Sequence, residues 1–220
     1  MDYKTEFNNA NAISFDVWGT LLTPNRIFGV KRNAYIADRF GIDIQLVSNV
    51  MSKTKDILNG IALQTGKAPS CDESYRLFLI LLGEPITSTP GIRAKFETLF
   101  WEHPPILNAD LVNTIRTLMT TTGKLYGLGS NTTFISGTNI IRFFEQNGLH
   151  FHFFVMSDML RIAKPGYRFF ERLVSEANTS KTIHIGNDPL FDICGAEDFG
   201  IPNILIDDPT DLNRVLMEMI

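Results

Sequence analysis

The chain has 220 residues, 44% of them hydrophobic and 20% charged, with a formal net charge of −4. That length buries one full core, with or without a smaller insert, and the mild acidity leaves no electrostatic footprint for nucleic acid. No apolar run is long enough for a membrane span, residues 1–11 are polar and unlike a signal peptide, and the distant Cys71 and Cys194 suggest no disulfide, which fits a cytoplasmic chain. The first predicted element is a buried strand, Ala12-Ile13-Ser14-Phe15, an apolar run that ends in Asp16 and is followed by Gly19-Thr20. After Leu22 the apolar residues recur at three and four, which predicts helices over 26–40, 44–64, 70–82 and 91–101. Turn signals separate them: Gly41, Gly66 to Pro69, Gly83 to Pro85, and His103-Pro104-Pro105. From Asn108 helix and strand alternate. Helices are expected over 110–119, 136–146, 167–177 and 190–199, and strands over 124–130, 151–157, 182–186 and 203–206.

Strands that alternate with short helices imply a parallel sheet, because parallel neighbours need crossover connections. The expected fold class is therefore α/β: a doubly wound, Rossmann-like parallel sheet with an inserted α-helical cap. The helical block spans about 80 residues, too many for a plain crossover, and follows the strand that delivers Asp16. The expected division places residues 1–22 and 104–220 in the core and 23–103 in the cap.

Four segments at or near strand ends carry the chemistry: Asp16-Val17-Trp18-Gly19-Thr20, Ser130-Asn131-Thr132, Lys164-Pro165, and Gly186-Asn187-Asp188-Pro189 with Asp192. In a parallel sheet these tips converge on one crevice. A carboxylate nucleophile attacking an anionic substrate needs cations and hydrogen-bond donors. Ser130, Asn131 and Lys164 supply them, and Asp188 and Asp192 can orient Lys164 or hold a cation. Plainer readings exist. Asp188 before Pro189 makes a good helix N-cap, Ser130 and Asn131 could cap the following helix, and Lys164 could be a surface lysine before a turn. His150 and His152 alternate as on one strand face, but no further ligand stands near them, and the Phe-rich run 151–154 suits core packing.

In order and spacing the four segments resemble the motifs of the haloacid dehalogenase-like hydrolase superfamily, whose first motif is usually Asp-x-Asp-x-Thr. The resemblance implies that Asp16 is the nucleophile of a covalent intermediate and that Thr20, Ser130, Asn131 and Lys164 complete the catalytic group. It also implies a Mg²⁺ site built from Asp16, the Trp18 carbonyl, Asn187, Asp188 and Asp192. Substrate contacts would come from Trp18, Gly19, Ser130, Asn131 and Arg26, with Arg32 a further cap candidate. The expected partner is a small, anionic substrate; neither nucleic acid nor membrane is expected, and nothing sets an oligomeric state.

Two residues depart from the phosphatase pattern. Trp18 stands where the family's leaving-group acid would be and cannot exchange a proton near neutral pH. Asn187 replaces a Mg²⁺-binding carboxylate by a neutral amide. The form of the fourth motif places phosphate monoester hydrolysis first. An aromatic residue at position 18 resembles instead the metal-independent 2-haloacid dehalogenases, the alternative reaction. A non-catalytic relative that binds a ligand or protein is the third reading.

Overall fold

In the computed structural model, which describes residues 3–219, a short helix α1 (Tyr3–Asn9) precedes strand β1 (Ala12–Phe15). A two-residue strand β2 (Leu22–Thr23) leads into helices α2 (Arg26–Phe40), α3 (Ile44–Thr65), α4 (Cys71–Leu82) and α5 (Thr89–Glu102). Strand β3 (Ile106–Leu107) returns antiparallel to β2. The chain continues with α6 (Ala109–Thr121), β4 (Leu125–Ser130), α7 (Gly137–Gln146), β5 (Phe153–Met156), α8 (Ser157–Leu160) and α9 (Tyr167–Glu176). It ends with β6 (Thr182–Gly186), a π-helical turn (Pro189–Cys194), α10 (Gly195–Phe199), β7 (Asn203–Leu205) and α11 (Pro209–Met217). Positions 1, 2 and 220 of the expected core lie outside the described residues.

The helices start and stop where short-range chemistry says they should. Asn25 and Asp43 accept backbone N–H groups at the starts of α2 and α3, and Ser70 with Glu73 forms a reciprocal capping box on α4. Gly41, Gly66 and Gly83 close the same three helices at positive φ, where a Cβ would be strained. The five long strands form one parallel sheet in the order β5-β4-β1-β6-β7. Successive strands run outward from β1 in one direction and then in the other, so the reversal of strand order lies at β1. That reversal is where an open α/β sheet leaves a crevice at the carboxyl ends of its strands. Phe15 pairs with Leu128 on one side and Ile185 on the other, so the residues that follow these three strands emerge side by side.

Helices α2 to α5 pack a separate apolar core of Ile36, Val47, Tyr75, Phe78, Ile92 and Phe96. Phe134, from the loop after β4, is inserted into it edge-on to Tyr75, Phe78 and Phe96, and the Tyr75 hydroxyl donates to the Phe134 carbonyl at 2.6 Å. The inserted block is thus keyed to the sheet layer by one ring. Truncating it in Phe134→Ala leaves a ring-sized void and is expected to cost about 3 kcal/mol, read as a lower midpoint in chemical denaturation. A second tie joins the α3–α4 loop to the segment ahead of Lys164: Gly66 O accepts Ala163 N at 2.9 Å, Lys67 bridges Ile162, and Arg161 pairs with Glu73.

Two helices lie outside the predicted elements, and one predicted helix changes form. Residues 3–9 are helical because Phe7 docks on the sheet core, and α11 forms behind its Asp208 cap. The expected single helix over 190–199 is a π-helical turn followed by α10, for a reason that belongs to the site.

Candidate active site

Asp16 follows β1 directly and is held in the sheet by its N–H, which donates to Ile185 O at 2.9 Å. The residue is 6% exposed. Oδ1 accepts Lys164 Nζ at 2.6 Å and Ser130 Oγ at 3.1 Å, whereas Oδ2 accepts only a long bond from Thr20 Oγ1 at 3.3 Å. The two oxygens are therefore unequal. Oδ1 is fixed by a cation and a hydroxyl, and Oδ2 is the one free to attack. The chain can turn sharply after Asp16 because Gly19 has φ +84 and packs on Asn187, whose amide a Cβ would strike.

Lys164 is 2% exposed and lies between two carboxylates, with Nζ 2.6 Å from Asp16 Oδ1 and 2.5 Å from Asp192 Oδ1. Asn131 holds its backbone: the Asn131 amide donates to Lys164 O at 3.0 Å and accepts Lys164 N at 2.9 Å. An amide side chain there imitates a strand partner, which is why Asn131 follows β4 where the sheet has ended. That amide positions Lys164 through its oxygen and one N–H, and its second N–H is left for the cavity that Asn131 lines.

Asp192, 1% exposed, is the anchor. Its Oδ1 also meets His184 Nε2 at 3.1 Å, and its Oδ2 accepts Asp188 N at 3.0 Å. His184 in turn meets Ser14 Oγ at 3.1 Å. The approach of Asp192 requires Gly186, since a Cβ at that position would collide with the carboxylate. Reaching back to Lys164 and to the Asp188 N–H widens the chain over 189–194 into a π turn, a device frequent at functional sites. Asp188 adopts the plainer of its two readings: Oδ1 accepts Leu190 N and Phe191 N, both at 2.9 Å, as an N-cap.

The electrostatics follow from burial. Desolvation raises the Asp16 carboxyl, and Lys164 only partly offsets it. Burial would also raise Asp192, but there the Lys164 charge and the His184 bond prevail and hold it far below the usual carboxylate range. Burial would lower Lys164; its two carboxylate partners outweigh that and raise it above 10.5. The site at neutral pH is a lysinium shared by two carboxylates, of which Asp16 is the more readily protonated.

The donor set is weak for Mg²⁺, which is usually held by one or two carboxylates with waters completing its octahedron. Asp192 has both oxygens committed, Asn187 is a neutral amide accepting Thr20 Oγ1 at 3.3 Å, and Asp188 caps a helix. Among the described residues no group of three His, Cys, Asp or Glu is arranged to hold a metal. Of the expected metal set Asp16, Trp18, Asn187, Asp188 and Asp192, Asp192 is given over to Lys164, His184 and the Asp188 N–H, whereas Asp16 Oδ2 and Asp188 Oδ2 keep acceptor capacity.

Beside the site lies a cavity of about 380 Å³, lined by residues of α2, α3 and α5 and by Trp18, Asn131 and Phe134. Trp18 is half-buried, packs on the sheet core and walls this cavity; Arg26 lines it from an exposed position and Arg32 from a more enclosed one. The sequence reading passed over His184, Ser14 and Phe134. A histidine between Ile183 and Ile185 on a strand buried at every position was a usable signal, because such a ring needs an internal partner. His152 instead accepts Tyr126 N at 3.0 Å, Cys71 is buried and Cys194 exposed, both as thiols. No helix is long and apolar enough to cross a membrane among the described residues.

No family model and no curated protein sequence matches the chain. Solved structures do. A candidate hydrolase of the haloacid dehalogenase type from Bacillus subtilis, YfnB, bound to magnesium, superposes with a TM-score of 0.68 at 18% identity, over 94% of this chain and 99% of that one. A 2-haloacid dehalogenase from Pseudomonas syringae pv. Tomato gives 0.65 at 17% identity, over 96% and 100%. A phosphatase of the same type from Thermococcus onnurineus gives 0.61 at 17% identity, over 89% and 86%. At such identities the likeness is one of fold.

Proposed function

We propose that this chain, whose fold is that of the haloacid dehalogenase-like hydrolases, is a hydrolase that forms a covalent ester on Asp16 and works without a divalent cation. Residues 1–22 and 104–220 act as its catalytic core and 23–103 as its cap. The observation that carries the reading is the commitment of both Asp192 oxygens to Lys164, His184 and the Asp188 N–H. The Gly186-Asn187-Asp188-Pro189 form of the fourth segment favours phosphate monoesters; helix capping by Asp188 and lysine anchoring by Asp192 account for its acids equally well. With Trp18 in place of a proton donor, the suitable leaving group departs as an anion without protonation, as halide does.

The reaction is hydrolysis of a 2-halo acid. Asp16 Oδ2 attacks the halogen-bearing carbon, a C–O bond forms, and halide leaves with the bonding pair. Oδ1 is then the ester carbonyl oxygen, already in contact with Lys164 Nζ and Ser130 Oγ, which stabilise the oxyanion as water adds to Cγ. Collapse breaks the Cγ–Oδ2 bond, frees the 2-hydroxy acid and restores Asp16, and one proton passes to solvent. Thr20 orients Oδ2, and Asn131 and Asp192 hold the lysine.

The test is a panel of 2-halo acids and phosphate monoesters, each with EDTA and with Mg²⁺. Halide release at a rate unchanged by either addition is expected. Phosphate release that requires Mg²⁺ would overturn this reading in favour of a phosphatase.

A further inference from the structure

We infer that the cavity between the sheet and the cap binds a second carboxylate, so that the substrate is an acid at both ends of an apolar, aromatic-sized body. The inference deepens the proposed function and rests on it for the reacting end alone. Its basis is a mismatch of charge. The protein carries a net charge of −4, yet no Asp or Glu lines this cavity, while Arg26, Arg32 and Lys55 do. No carboxylate pairs with Arg26, Arg32 or Lys55 among the described residues, and what sets these three apart from the chain's other unpaired cations is that they line one cavity together.

Arg32 is the sharper case. Its Nε donates to Asn33 Oδ1 at 3.1 Å, and its guanidinium lies 5.7 Å from the Phe28 ring centroid and 6.0 Å from that of Phe96. Ring faces attract a cation but do not neutralise it. Burial pushes the Arg32 pKa down to about 10, opposed in part by the Tyr75 phenol and by no carboxylate. Lys55, exposed at the mouth, is lowered by desolvation and by the Arg32 charge beside it. A partly buried cation without a partner is costly in the free protein, and an anionic ligand removes that cost. The guanidinium fork suits a carboxylate.

Size and lining define the rest of the molecule. A volume of about 380 Å³ falls within the range of small-molecule sites and far exceeds a two- or three-carbon acid. Trp18, Phe28 and Phe100 give it flat apolar walls. Asn131 lines the cavity and holds the Lys164 backbone, and Trp18 lines it two residues after Asp16, so the proposed substrate is placed across the cavity and the reacting carboxylate.

The experiment is calorimetric titration of the whole protein with 1,4-phenylenediacetate and with phenylacetate, which share a body and differ by one acid. The diacid is expected to bind about tenfold more tightly, an advantage that falls to about twofold in Arg32→Gln and about threefold in Lys55→Gln. Equal affinities in the unaltered protein, or an advantage that survives in both variants, would overturn the inference. Circular dichroism checks each variant, and if Arg32→Gln does not fold, the exposed Lys55→Gln decides. Binding is read without turnover, so the two proposals fail separately. Diacid preference without halide release retains the pocket and removes the reaction; Asp16-dependent halide release without diacid preference does the reverse.

Discussion

Asp16→Asn is expected to lower turnover by about 10⁴-fold or more while leaving the protein folded. The substitution keeps the shape of the side chain and removes the carboxylate proposed to attack. Stability should hold because burial disfavours the charge that is lost, and Lys164 keeps Asp192 as its partner. A single turnover of the unaltered enzyme in ¹⁸O water should place the label in the Asp16 carboxylate, read by peptide mass, since water adds to Cγ. Activity retained in the variant, or label found only in product, would remove the nucleophilic role. The same group sets the acid limb of the pH profile. Burial raises the Asp16 pKa above 3.8, so kcat/KM should fall with decreasing pH at a point above that value. Lys164 is raised above 10.5, so no alkaline loss from its deprotonation is expected below that pH.

Lys164→Met is expected to reduce kcat by about 10³-fold and stability by about 3 kcal/mol. The variant leaves two buried carboxylates facing each other and strips the ester oxygen of its cation. Losing Lys164 also removes the strongest influence lowering Asp16, so the acid limb should move to higher pH. The signs of the stability effects differ at the two ends of the pH scale. Asp192 is depressed in the folded protein, so its contribution is present above 3.8 and is lost as pH falls through its folded value. Lys164 is raised, so its contribution is present below 10.5 and is lost as pH rises through its folded value. Denaturation curves of protein and variant across pH should therefore converge at both extremes. Lys164→Arg should not rescue kcat, because a larger planar head does not fit a slot in which Nζ sits 2.6 Å and 2.5 Å from its partners.

Much of this architecture was legible in order along the chain. The strand before Asp16, the four helices of the insert and the later alternation rest on local periodicity and on punctuation by Gly41, Gly66 and Gly83, which act within a few residues. Helix α2 runs over the predicted span, and α3 and α4 differ from theirs by one residue at one end. The convergence of Asp16, Ser130, Lys164 and Asp192 also followed, because the tips of parallel strands share one edge.

What each polar group does within that cluster was a tertiary decision. Asn131 lines the cavity, and its pairing with the Lys164 backbone could not be read from the chain. Asp188 and Asp192 could have held a cation; one caps a helix and the other meets a lysine 28 positions away. His184, Phe134 and the unpartnered Arg32 acquire their meaning only from neighbours far off in the chain. Propensity and periodicity are short-range and can be read from adjacent residues. A carboxylate or amide has several acceptable partners of similar energy, and only the folded chain, by bringing one of them within hydrogen-bond distance in a site closed to water, selects among them.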